Sequence, residues 1–400
     1  MQRFDLIIAG AGPSGAALAC ALTPWFRRIA LVDARPPTFE QEGQTDPRVL
    51  ALANTSARIL AGLGLWREVA KTATAIRQVR LFASDDPEES LLESRDGGFG
   101  ALGFTVGAHA LTGILHRHLR SRRVTWFAPR RIEGVAIADE VASLLLGDGE
   151  RIDGRLLVAA DGTRSIIRES LGIVSRDEDY RQQAILAELR ASPPPEHTAF
   201  EVLTPGGPLA LLPHGELWSM VWAQPESDAE ALMALDEQGF ARRVEQQLGG
   251  HLAVDEVVTP RVRYPLHRVE AWTLIGERTV LLGNAAHTVH PIGAQGLNLG
   301  FRDVATLAEL LVQAVRAGID PGDPGLLQHY AQRRLPDHRR VMEFTDTLAH
   351  LLSDDAHPLR PWLRTGLKLF RILSPLRSGM VKLGTGGFDR ETRLGRGLPL

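Results

Sequence analysis

The stretch FDLIIAGAGPSGAALACAL, residues 4–22, decides the fold of this 400-residue chain. FDLIIAG is an apolar run that predicts a buried parallel strand, and AALACAL predicts a helix of small residues. The glycines of the turn between them are Gly10, Gly12 and Gly15. A second apolar run, RIALVDA, follows and carries Asp33 near its end. This order of strand, glycine turn, helix, strand and acid is typical of a dinucleotide-binding unit.

Each residue of this unit has a predicted role. Gly10 permits the tight turn, Gly12 lets the backbone approach a pyrophosphate, and Gly15 lets the helix pack on the strand. The amides at the helix start favour the phosphate charge, and Asp33 can accept hydrogen bonds from ribose hydroxyls. An acid here, rather than arginine, favours FAD or NAD over NADP. The alternative is an ordinary strand–helix–strand unit with a glycine-rich turn.

Composition narrows the class of protein. The length exceeds what one core usually organises, so we expect two domains or one large domain with an insert. The net charge of −3 argues against nucleic-acid binding. Cys20 is the single cysteine, which excludes an intrachain disulfide and a cysteine-based metal site. Without a secretion signal or an apolar run of about 18–20 residues, we expect a cytosolic protein in a reducing compartment.

A further apolar run, LLVAAD at residues 156–161, ends with a carboxylate. Asp161 therefore lies where open α/β sheets bind ligands, and Ser165 is predicted to cap the helix that follows. Upstream, Arg48 precedes VLALANTSARILAGLGLW, which we predict to be helical up to about Gly62. For Arg48 two interpretations stay open: a contact with phosphates or the reaction chamber, and a solvated surface position.

From about residue 181 to 264 the pattern changes to short strand-like pieces separated by proline and glycine. This predicts an antiparallel sheet inserted into the nucleotide-binding domain, with a helical stretch at DAEALMALDEQGFARRVEQQL. We expect an α/β protein with an inserted sheet and C-terminal helices. The predicted divisions are a discontinuous nucleotide-binding domain at 1–78, 100–180 and 265–340, a substrate domain at 79–99 and 181–264, and a helical region at 341–400.

The stretch VLLGNAAHTVHPIGAQGLNLGFRDV, residues 280–304, places a loop of small residues between a strand and a helix. Small residues suit a flat ring system laid against the backbone. A helix beginning near Gly296 would direct its positive dipole end at whatever precedes it. The two histidines, His287 and His290, lack an acid or cysteine at ligand spacing, so we interpret them as structural rather than metal-binding.

Three motifs in this order resemble those of the class A flavoprotein monooxygenases, which have the p-hydroxybenzoate hydroxylase fold. GAGPSG resembles the dinucleotide motif of that family, DGTRSIIR its DGxxSxxR motif, and GNAAHTVHP its GDxAHxxxP motif. Asn284 departs from the third motif, where many members carry Asp. The longer stretch GNAAHTVHPIGAQGLNLGFRD resembles the ubiquinone-biosynthesis hydroxylase branch, and the similarity spans roughly residues 4–345.

The resemblance implies a Rossmann-like FAD-binding domain with an inserted antiparallel-sheet substrate domain. It places Asn284 at the ribityl chain of FAD and the segment from Pro291 to Gly296 along the isoalloxazine. The residues that it assigns to FAD binding are Gly10, Gly12, Gly15, Asp33, Arg48, Asp161, Asn284, Gly293, Gln295, Gly296 and Asn298.

The resemblance also implies a reaction, the hydroxylation of the ring of a polyprenylated phenol in ubiquinone biosynthesis. NAD(P)H would reduce the flavin transiently, and O2 would convert it to a C4a-hydroperoxide whose terminal oxygen attacks the phenol ring. The helix start near Gly296 would stabilise negative charge on the reduced flavin. The protein would position the substrate and exclude water, with no need for a metal.

The residue that assists deprotonation of the phenol is left open by the sequence. His109, His214 and Tyr264 are candidates by residue type, and Pro291 joins the predicted catalytic set through its place beside the flavin. For each of the first three, a structural role is the alternative.

The segment HPLRPWLRTGLKLFRILSPLRSGMVKL, residues 357–383, combines basic residues with an apolar face that includes Leu363, Leu367 and Phe370. It predicts an amphipathic helix. Contact with anionic lipid on the inner membrane, a contact within a biosynthetic complex, and packing on the body of the protein all stay open.

Three other functions stay open beside the hydroxylase. One is hydroxylation of a small soluble aromatic. A flavin-dependent halogenase is disfavoured because its WxWxIP motif is not found, Trp218 and Trp222 being four positions apart. The third is a non-catalytic FAD-binding scaffold subunit, which the Asn284 departure leaves open.

Overall fold

The computed structural model describes residues 3–39, 48–86, 88–98, 100–120, 122–138, 140–353, 379, 381 and 391–400. The predicted basic helix around Leu363 and Phe370 lies outside the described residues. Each helix in the described ranges is too short or too polar to span a bilayer.

The strands and helices of the described chain are numbered here in chain order. The strands are β1 (Arg3–Ala9), β2 (Ile29–Val32), β3 (Val49–Ala53), β4 (Thr74–Ile76), β5 (Gln78–Ala83), β6 (Ser90–Glu93), β7 (Gly103–Gly107), β8 (Val124–Phe127), β9 (Ile132–Ala138), β10 (Val141–Leu146), β11 (Arg151–Ala159), β12 (Ser175–Ser192), β13 (Thr198–Thr204), β14 (Gly207–His214), β15 (Leu217–Pro225), β16 (Ala253–Val257), β17 (Val262–Ala271), β18 (Ile275–Gly276), β19 (Thr279–Leu281) and β20 (His287–Thr288). The helices are α1 (Pro13–Leu22), α2 (Asn54–Gly62), α3 (Trp66–Val69), α4 (Ala108–Arg120), α5 (Ile166–Ser170), α6 (Glu226–Ala234), α7 (Glu237–Gln247), α8 (Gln295–Ala317) and α9 (Pro324–Ser353).

The first sheet is mainly parallel and carries the glycine turn. Its main strand order is β18-β19-β11-β1-β2-β8, with β10 paired to β11 and β9 to β10. β1 pairs in parallel with both β11 and β2. Leu6, Ile7 and Ile8 are completely buried, as expected for a central parallel strand with both faces covered. The predicted buried strand and the small-residue helix after it are confirmed.

The second sheet is antiparallel except for the parallel pair β13–β5. Its main order is β20-β17-β12-β15-β14-β13-β5-β6, with β16 on β12. The strand-like pieces predicted between residues 181 and 264 form β12 to β15 and β17. The helical stretch forms α6 and α7, and Phe240 of α7 packs in one apolar cluster with Trp218 and Met220 of β15. This cluster covers one face of the sheet and leaves the other face for a cavity.

A small third sheet corrects one local prediction. Residues 49–53, predicted as the start of a helix, instead form β3, which pairs antiparallel with β7 in the order β3-β7-β4. The helix begins only at Asn54. The partner strand lies about fifty residues further along the chain, so the local pattern of VLALA could not reveal the pairing.

Two strands of the second sheet cross the predicted domain boundaries. β12 runs through the predicted boundary between residues 180 and 181, and β17 through that between 264 and 265. β5 and β6, at residues 78–93, join the same sheet through β13. The predicted α/β fold with an inserted sheet is confirmed, whereas the division into domains stays a prediction.

Candidate active site

The turn after β1 can be built only with glycine at two positions. Gly10 has a left-handed φ of 103°, and a Cβ there would lie 2.1 Å from the Ala160 carbonyl oxygen. A Cβ on Gly15 would lie 2.0 Å from the carbonyl oxygen of Gly10. Gly10 and Gly15 therefore let the start of α1 approach the ends of β1 and β11, as the sequence predicts.

Gly12 has a different environment, because a Cβ there would meet no atom within 4 Å. It is the N-cap residue of α1 and supplies no side-chain cap. Open space in front of a helix start is the arrangement that suits a phosphate. Beside it, Asp33 accepts hydrogen bonds from the amides of Ala11 (2.7 Å) and Arg35 (2.8 Å). The acid is thus held at the end of β2, at the edge of this open space.

The three sequence motifs converge at the start of α1. Asp161 follows β11, and its backbone nitrogen would lie 2.9 Å from a Cβ on Gly10. A Cβ on Gly283, in the third motif, would lie 3.1 Å from the Ser14 hydroxyl oxygen. Buried Arg168 donates to the carbonyl oxygen of Ala285 (2.9 Å), which connects the second motif to the third. The distant motifs thus form one edge of the first sheet.

Asp161 is a largely buried carboxylate with spare hydrogen-bonding capacity. Its Oδ2 accepts a bond from the Ile167 amide (3.3 Å), while Oδ1 is buried and has no partner among the described residues. Burial raises the pKa of Asp161, against hydrogen bonds from Ser165 and nearby amides that lower it. The predicted cap is confirmed, since the Ser165 hydroxyl accepts a hydrogen bond from the Arg168 amide (3.0 Å). An unpartnered oxygen at this edge fits a polar ligand.

The loop before α8 turns through two left-handed residues, Gly293 (φ 68°) and Ala294 (φ 51°). A Cβ on Gly293 would meet nothing within 4 Å, so this part of the loop faces open space. Gln295 is buried and donates to the Gly293 carbonyl oxygen (3.1 Å). α8 begins at Gln295, one residue before the predicted start near Gly296.

Asn298 holds this loop against β3 through all of its side-chain polar atoms. Its Oδ1 accepts hydrogen bonds from the Ala53 amide (2.8 Å) and the Ser56 hydroxyl (2.7 Å). Its Nδ2 donates to the carbonyl oxygens of Ala51 (3.0 Å) and Ala294 (2.8 Å). Because both ends of the amide are satisfied, Asn298 positions the loop through its side chain. Its predicted place at FAD stays a prediction.

A buried ion network under the loop was missed by sequence reasoning. Asp303 of α8 is completely buried and accepts hydrogen bonds from Arg334 Nε (2.7 Å) and His338 Nε2 (2.7 Å) of α9. Its other oxygen accepts from His287 Nε2 (2.9 Å) and the Gly283 amide (3.2 Å). The only signal in the sequence was an acid within an apolar helical pattern. The network fixes both ends of the loop and thereby its path.

The same cluster has the residue types of a metal site. The potential ligand atoms of His287, Asp303 and His338 lie within 4.8 Å of one another. Arg334 is already at hydrogen-bond distance from the carboxylate and supplies the positive charge that a cation would bring. Burial would raise the pKa of Asp303, but His338, Arg334 and His287 together hold it well below its usual value. We therefore interpret His287 as structural, in agreement with its predicted role.

A cavity of about 1330 Å³ lies between the loop and the uncovered face of the second sheet. The loop and the first turn of α8 contribute residues 291–298, and β3 contributes residues 49–53. The sheet contributes mainly apolar side chains of β5, β12, β13, β14 and β15. Arg48, whose role was open, also lines the cavity. The arrangement places an extended apolar space against the backbone of a small-residue loop.

The predicted catalytic candidates fall into two groups. Pro291 and Tyr264 line the cavity, and Tyr264 is 41% exposed. His214 is not part of the cavity wall, and its Nδ1 lies 2.5 Å from a carboxylate oxygen of Glu188. His109 is also outside the wall, and its Nε2 is buried with no partner among the described residues. The structure thus brings two of the four candidates to the cavity, and the catalytic assignments stay predictions.

Some of the remaining predicted FAD residues line the cavity, and others lie outside its wall. Gly293, Gln295 and Gly296 line the cavity. Asn284 is exposed at the start of the loop, and its carbonyl oxygen accepts a hydrogen bond from the Thr288 hydroxyl (3.5 Å). The predicted FAD residues thus form two sets. One lies at the cavity wall, and the other, with the glycine turn, lies at the edge of the first sheet.

Comparisons with known proteins agree with this geometry. The FAD-binding domain family matches residues 3–345. Ubiquinone hydroxylase UbiL of Rhodospirillum rubrum is 35% identical and covers 99% of this chain and 93% of its own length. 3-demethoxyubiquinol 3-hydroxylase of Escherichia coli is 28% identical over 95% of this chain and 97% of its own length. The solved structure of PqsL from Pseudomonas aeruginosa has a TM-score of 0.77 at 22% identity, over 88% of this chain and 97% of its own, a likeness of fold alone.

Proposed function

The chain belongs to the FAD-binding domain family, within the ubiquinone-hydroxylase branch of FAD-dependent monooxygenases, and we propose that it hydroxylates the ring of a polyprenylated phenol with O2 and NAD(P)H. The predicted family and class of enzyme are thereby confirmed. The nature of the substrate, the reductant and the site residues belong to the proposal.

The cavity is the observation that carries the proposal. Its volume of about 1330 Å³ exceeds the roughly 300–1,000 Å³ of pockets for drug-sized ligands. An aromatic ring with a long isoprenoid tail, bound beside a flavin ring, needs such a space. The apolar wall formed by the second sheet suits the tail, because burial of apolar surface drives binding of an isoprenoid chain.

The residues at the edge of the first sheet fit FAD. Open space in front of Gly12 would receive the pyrophosphate, and Asp33 would bind the adenosine ribose. The unpartnered oxygen of Asp161 and the exposed side chain of Asn284 would contact the polar chain between the two halves of the cofactor. When bound, FAD supplies the oxidising chemistry that the twenty amino acids lack.

The loop before α8 and the first turn of this helix, residues 291–298, would present their backbone to the isoalloxazine. Gly293 leaves its side open for a planar ring, and the amides at the start of α8 favour negative charge in front of the helix. The Asp303 network holds this loop from beneath and keeps it in one conformation. The chain's own contribution is therefore to position the ring and to exclude water from the cavity.

The direct test uses purified protein with 2-farnesylphenol as the substrate probe. We expect a yellow protein whose oxidation of NADH or NADPH is faster with 2-farnesylphenol than with phenol itself, with one oxygen atom added to the ring by mass spectrometry. Equal stimulation by both phenols would contradict the isoprenoid specificity. Protein without flavin, or flavin that no nicotinamide reduces, would contradict the hydroxylase.

A matched pair of variants tests the cavity itself. Ala210 lines the cavity on β14, and Ala210→Phe would fill part of the space for the tail. We expect KM for 2-farnesylphenol to rise about tenfold, because lost apolar contact of 1–2 kcal/mol corresponds to that factor. Ala253→Phe, at an exposed position of β16, is the control. Equal KM values in the two variants would place the tail elsewhere.

We also propose the peripheral membrane contact that residues 357–383 predict, a segment of which the structure describes residues 379 and 381. A polyprenylated substrate would be collected most readily at a lipid surface. Flotation with anionic liposomes tests the contact. If the full chain and a chain ending near residue 355 float alike, this part of the proposal is wrong.

A further inference from the structure

Glu201 is a carboxylate in the middle of the apolar wall of the cavity. It lies on β13, where Ala199, Glu201 and Leu203 line the cavity. The alternating residues Phe200 and Val202 belong to the apolar cluster on the other face of the sheet, and Phe200 also borders the cavity. Because side chains of a strand alternate between faces, the Glu201 side chain is directed into the cavity.

The sheet positions around Glu201 are apolar on this face. Across the strands, Glu201 pairs with Ala210 of β14 and with Leu81 of β5. The row continues from Ala210 to Val221 of β15 and then to Leu186 of β12. Each of these neighbours lines the cavity. A single acid therefore interrupts a continuous apolar surface.

The carboxylate of Glu201 makes no hydrogen bond or ion pair within the described chain. Burial alone raises its pKa to about 7. An ionisable group held in an apolar cavity costs stability unless it has a partner. Such groups are concentrated at functional sites, where their pKa is matched to a proton transfer. The arrangement indicates that the partner of Glu201 is a ligand.

The charged residues near Glu201 do not supply that partner. On the adjacent strand β5, Arg80 pairs across from Phe200, lies over the Phe200 ring and is 3.6 Å from a carboxylate oxygen of Glu89. β14 offers no titratable side chain among its cavity-lining residues. Tyr264 lines the same wall on β17. The other charged side chains on the cavity wall belong to different elements and are Arg48, Arg302, Arg333, Arg334, Asp337, Arg340 and Glu391.

Most of these charges are already paired. Arg302 and Arg334 each bind Asp337, and Arg334 also binds Asp303. Arg333 lies 3.5 Å from a carboxylate oxygen of Glu391. Their positive charge is therefore compensated within their own pairs.

We propose that Glu201 is a catalytic residue, which accepts a hydrogen bond from the ring hydroxyl of the phenol and takes its proton during hydroxylation. This inference rests on the proposed function and identifies the polar contact of its substrate. It replaces His109 and His214, which lie outside the cavity wall, as the acceptor of the proton.

The proposed step moves one proton from the phenol to Glu201 and two electrons from NAD(P)H to O2. The hydroxyl O–H bond breaks and an O–H bond forms on the Glu201 carboxylate, while the electron pair stays on the ring oxygen. That pair raises the electron density of the ortho and para carbons, one of which forms the new C–O bond with oxygen supplied by O2. The second oxygen atom leaves as water, with both electrons taken from NAD(P)H. When that carbon loses its hydrogen as a proton to solvent, Glu201 returns its proton to the ring oxygen.

The test compares Glu201→Gln with the wild-type enzyme, both loaded with FAD, and uses 2-farnesylphenol as the probe. General acid–base catalysis contributes about 10²–10⁴-fold to rates, so we expect kcat for hydroxylation to fall by roughly that factor. The wild-type kcat should rise with pH, with a midpoint near pH 7 and a plateau above it, and the Gln variant should lose this rise. The matched control, Glu256→Gln, removes an exposed carboxylate of the same sheet, and its kcat should stay within twofold.

Two further measurements keep the inference falsifiable. Glu201→Leu restores the apolar row, so it should fold and bind FAD yet show the same loss of kcat. Binding is followed through the FAD absorption spectrum with 2-farnesylphenol and 2-farnesylanisole, which lacks the hydroxyl proton. Wild-type protein should prefer the phenol. Glu201→Leu should lose that preference, whereas Glu201→Gln should keep part of it because its amide oxygen still accepts a hydrogen bond.

The possible failures can be told apart. A Gln variant with near-normal kcat and an unchanged pH profile would overturn the role of Glu201, while the hydroxylase function would stand. Wild-type protein that forms no hydroxylated product would overturn the proposed function. In that case a phenol preference that survives in Glu201→Leu would also overturn the contact.

Discussion

Asp303 is a completely buried carboxylate and Glu201 is a partly buried carboxylate in the cavity wall, and their surroundings are opposite. Asp303 accepts four hydrogen bonds, from two histidines, an arginine and a backbone amide. Glu201 has no such partner in the described chain. The pKa of Asp303 is accordingly held well below its usual value, whereas that of Glu201 is raised to about 7. The difference teaches that burial alone does not define a role, because the available donors decide whether an acid is structural or reactive.

The largest expected effect on stability comes from removing the fully hydrogen-bonded carboxylate of Asp303. Asp303→Asn leaves buried Arg334 with Asp337 as its remaining carboxylate partner, and breaking a buried pair from one side costs up to about 3–5 kcal/mol. We expect urea unfolding to show this loss, together with weaker retention of FAD because the loop before α8 loses its support. Asp320→Asn is the matched control. It removes a partly exposed acid that pairs with Arg155 and Arg278, and it should cost only about 1 kcal/mol or less. Equal losses of unfolding free energy in the two variants would mean that Asp303 contributes no more to stability than a surface acid.

Removing the carboxylate of Glu201, which has no hydrogen-bond partner in the described chain, should instead increase stability. The folded pKa of Glu201 lies above its unfolded value of 4.5, so the folded state binds more protons between pH 4.5 and about 7. Ionisation of Glu201 therefore lowers stability as the pH rises through this window. Glu201→Gln should raise the free energy of unfolding by about 1–3 kcal/mol at pH 8 and leave it unchanged at pH 4.5. Urea titrations at the two pH values check this. A variant less stable than wild type at pH 8 would mean that Glu201 has a structural partner.

His338 tests how the Asp303 network loses stability as the pH falls. Burial lowers the pKa of His338 to about 4, although Asp303 opposes the shift. The unfolded state binds more protons between the ordinary histidine pKa of about 6.5 and that value, so this contribution to stability is lost as the pH falls. We expect His338→Gln to reduce the loss of stability between pH 7 and pH 4.5 by about 1–2 kcal/mol. His329→Gln, at an exposed position of α9, serves as the control. An unchanged pH dependence in His338→Gln would show that His338 is protonated in the folded protein.

The smallest effect is expected at an exposed side chain of the same loop. Asn284 lies at the surface, so Asn284→Asp should change the free energy of unfolding by less than about 0.5 kcal/mol. If the side chain binds the ribityl chain, the Asp variant keeps FAD because it still accepts hydrogen bonds, whereas Asn284→Leu releases it. Flavin content after gel filtration measures both. Loss of FAD from a folded Asp variant would contradict the assignment.

The local elements around the glycine turn were predictable from sequence. The run FDLIIAG and the small residues after it predict β1 and α1, because a buried parallel strand and a tightly packed helix each leave a pattern within about ten residues. The antiparallel pieces after residue 181 were equally readable. β3 was not, since its strand character depends on pairing with β7.

The candidate site was predictable only in part for the same reason. The resemblance carried by the three motifs identified the family and the order of the FAD residues. His109 and His214 were candidates by residue type alone, and the structure places both outside the cavity wall. Glu201 was not singled out, because a lone acid in a strand pattern has no distinguishing mark. Its significance depends on four neighbouring strands that are apolar on one face.

The sequence by itself determined the FAD-binding fold, because close backbone approach requires glycine and leaves a recognisable spacing at Gly10, Gly12 and Gly15. Only the tertiary structure decided which buried acids are satisfied. Asp303 meets Arg334 and His338 across two helices, while Glu201 faces an apolar cavity assembled from strands far apart in the chain. Hydrogen bonding and desolvation depend on neighbours in space, so the roles of these two acids followed from the fold rather than from the order of residues.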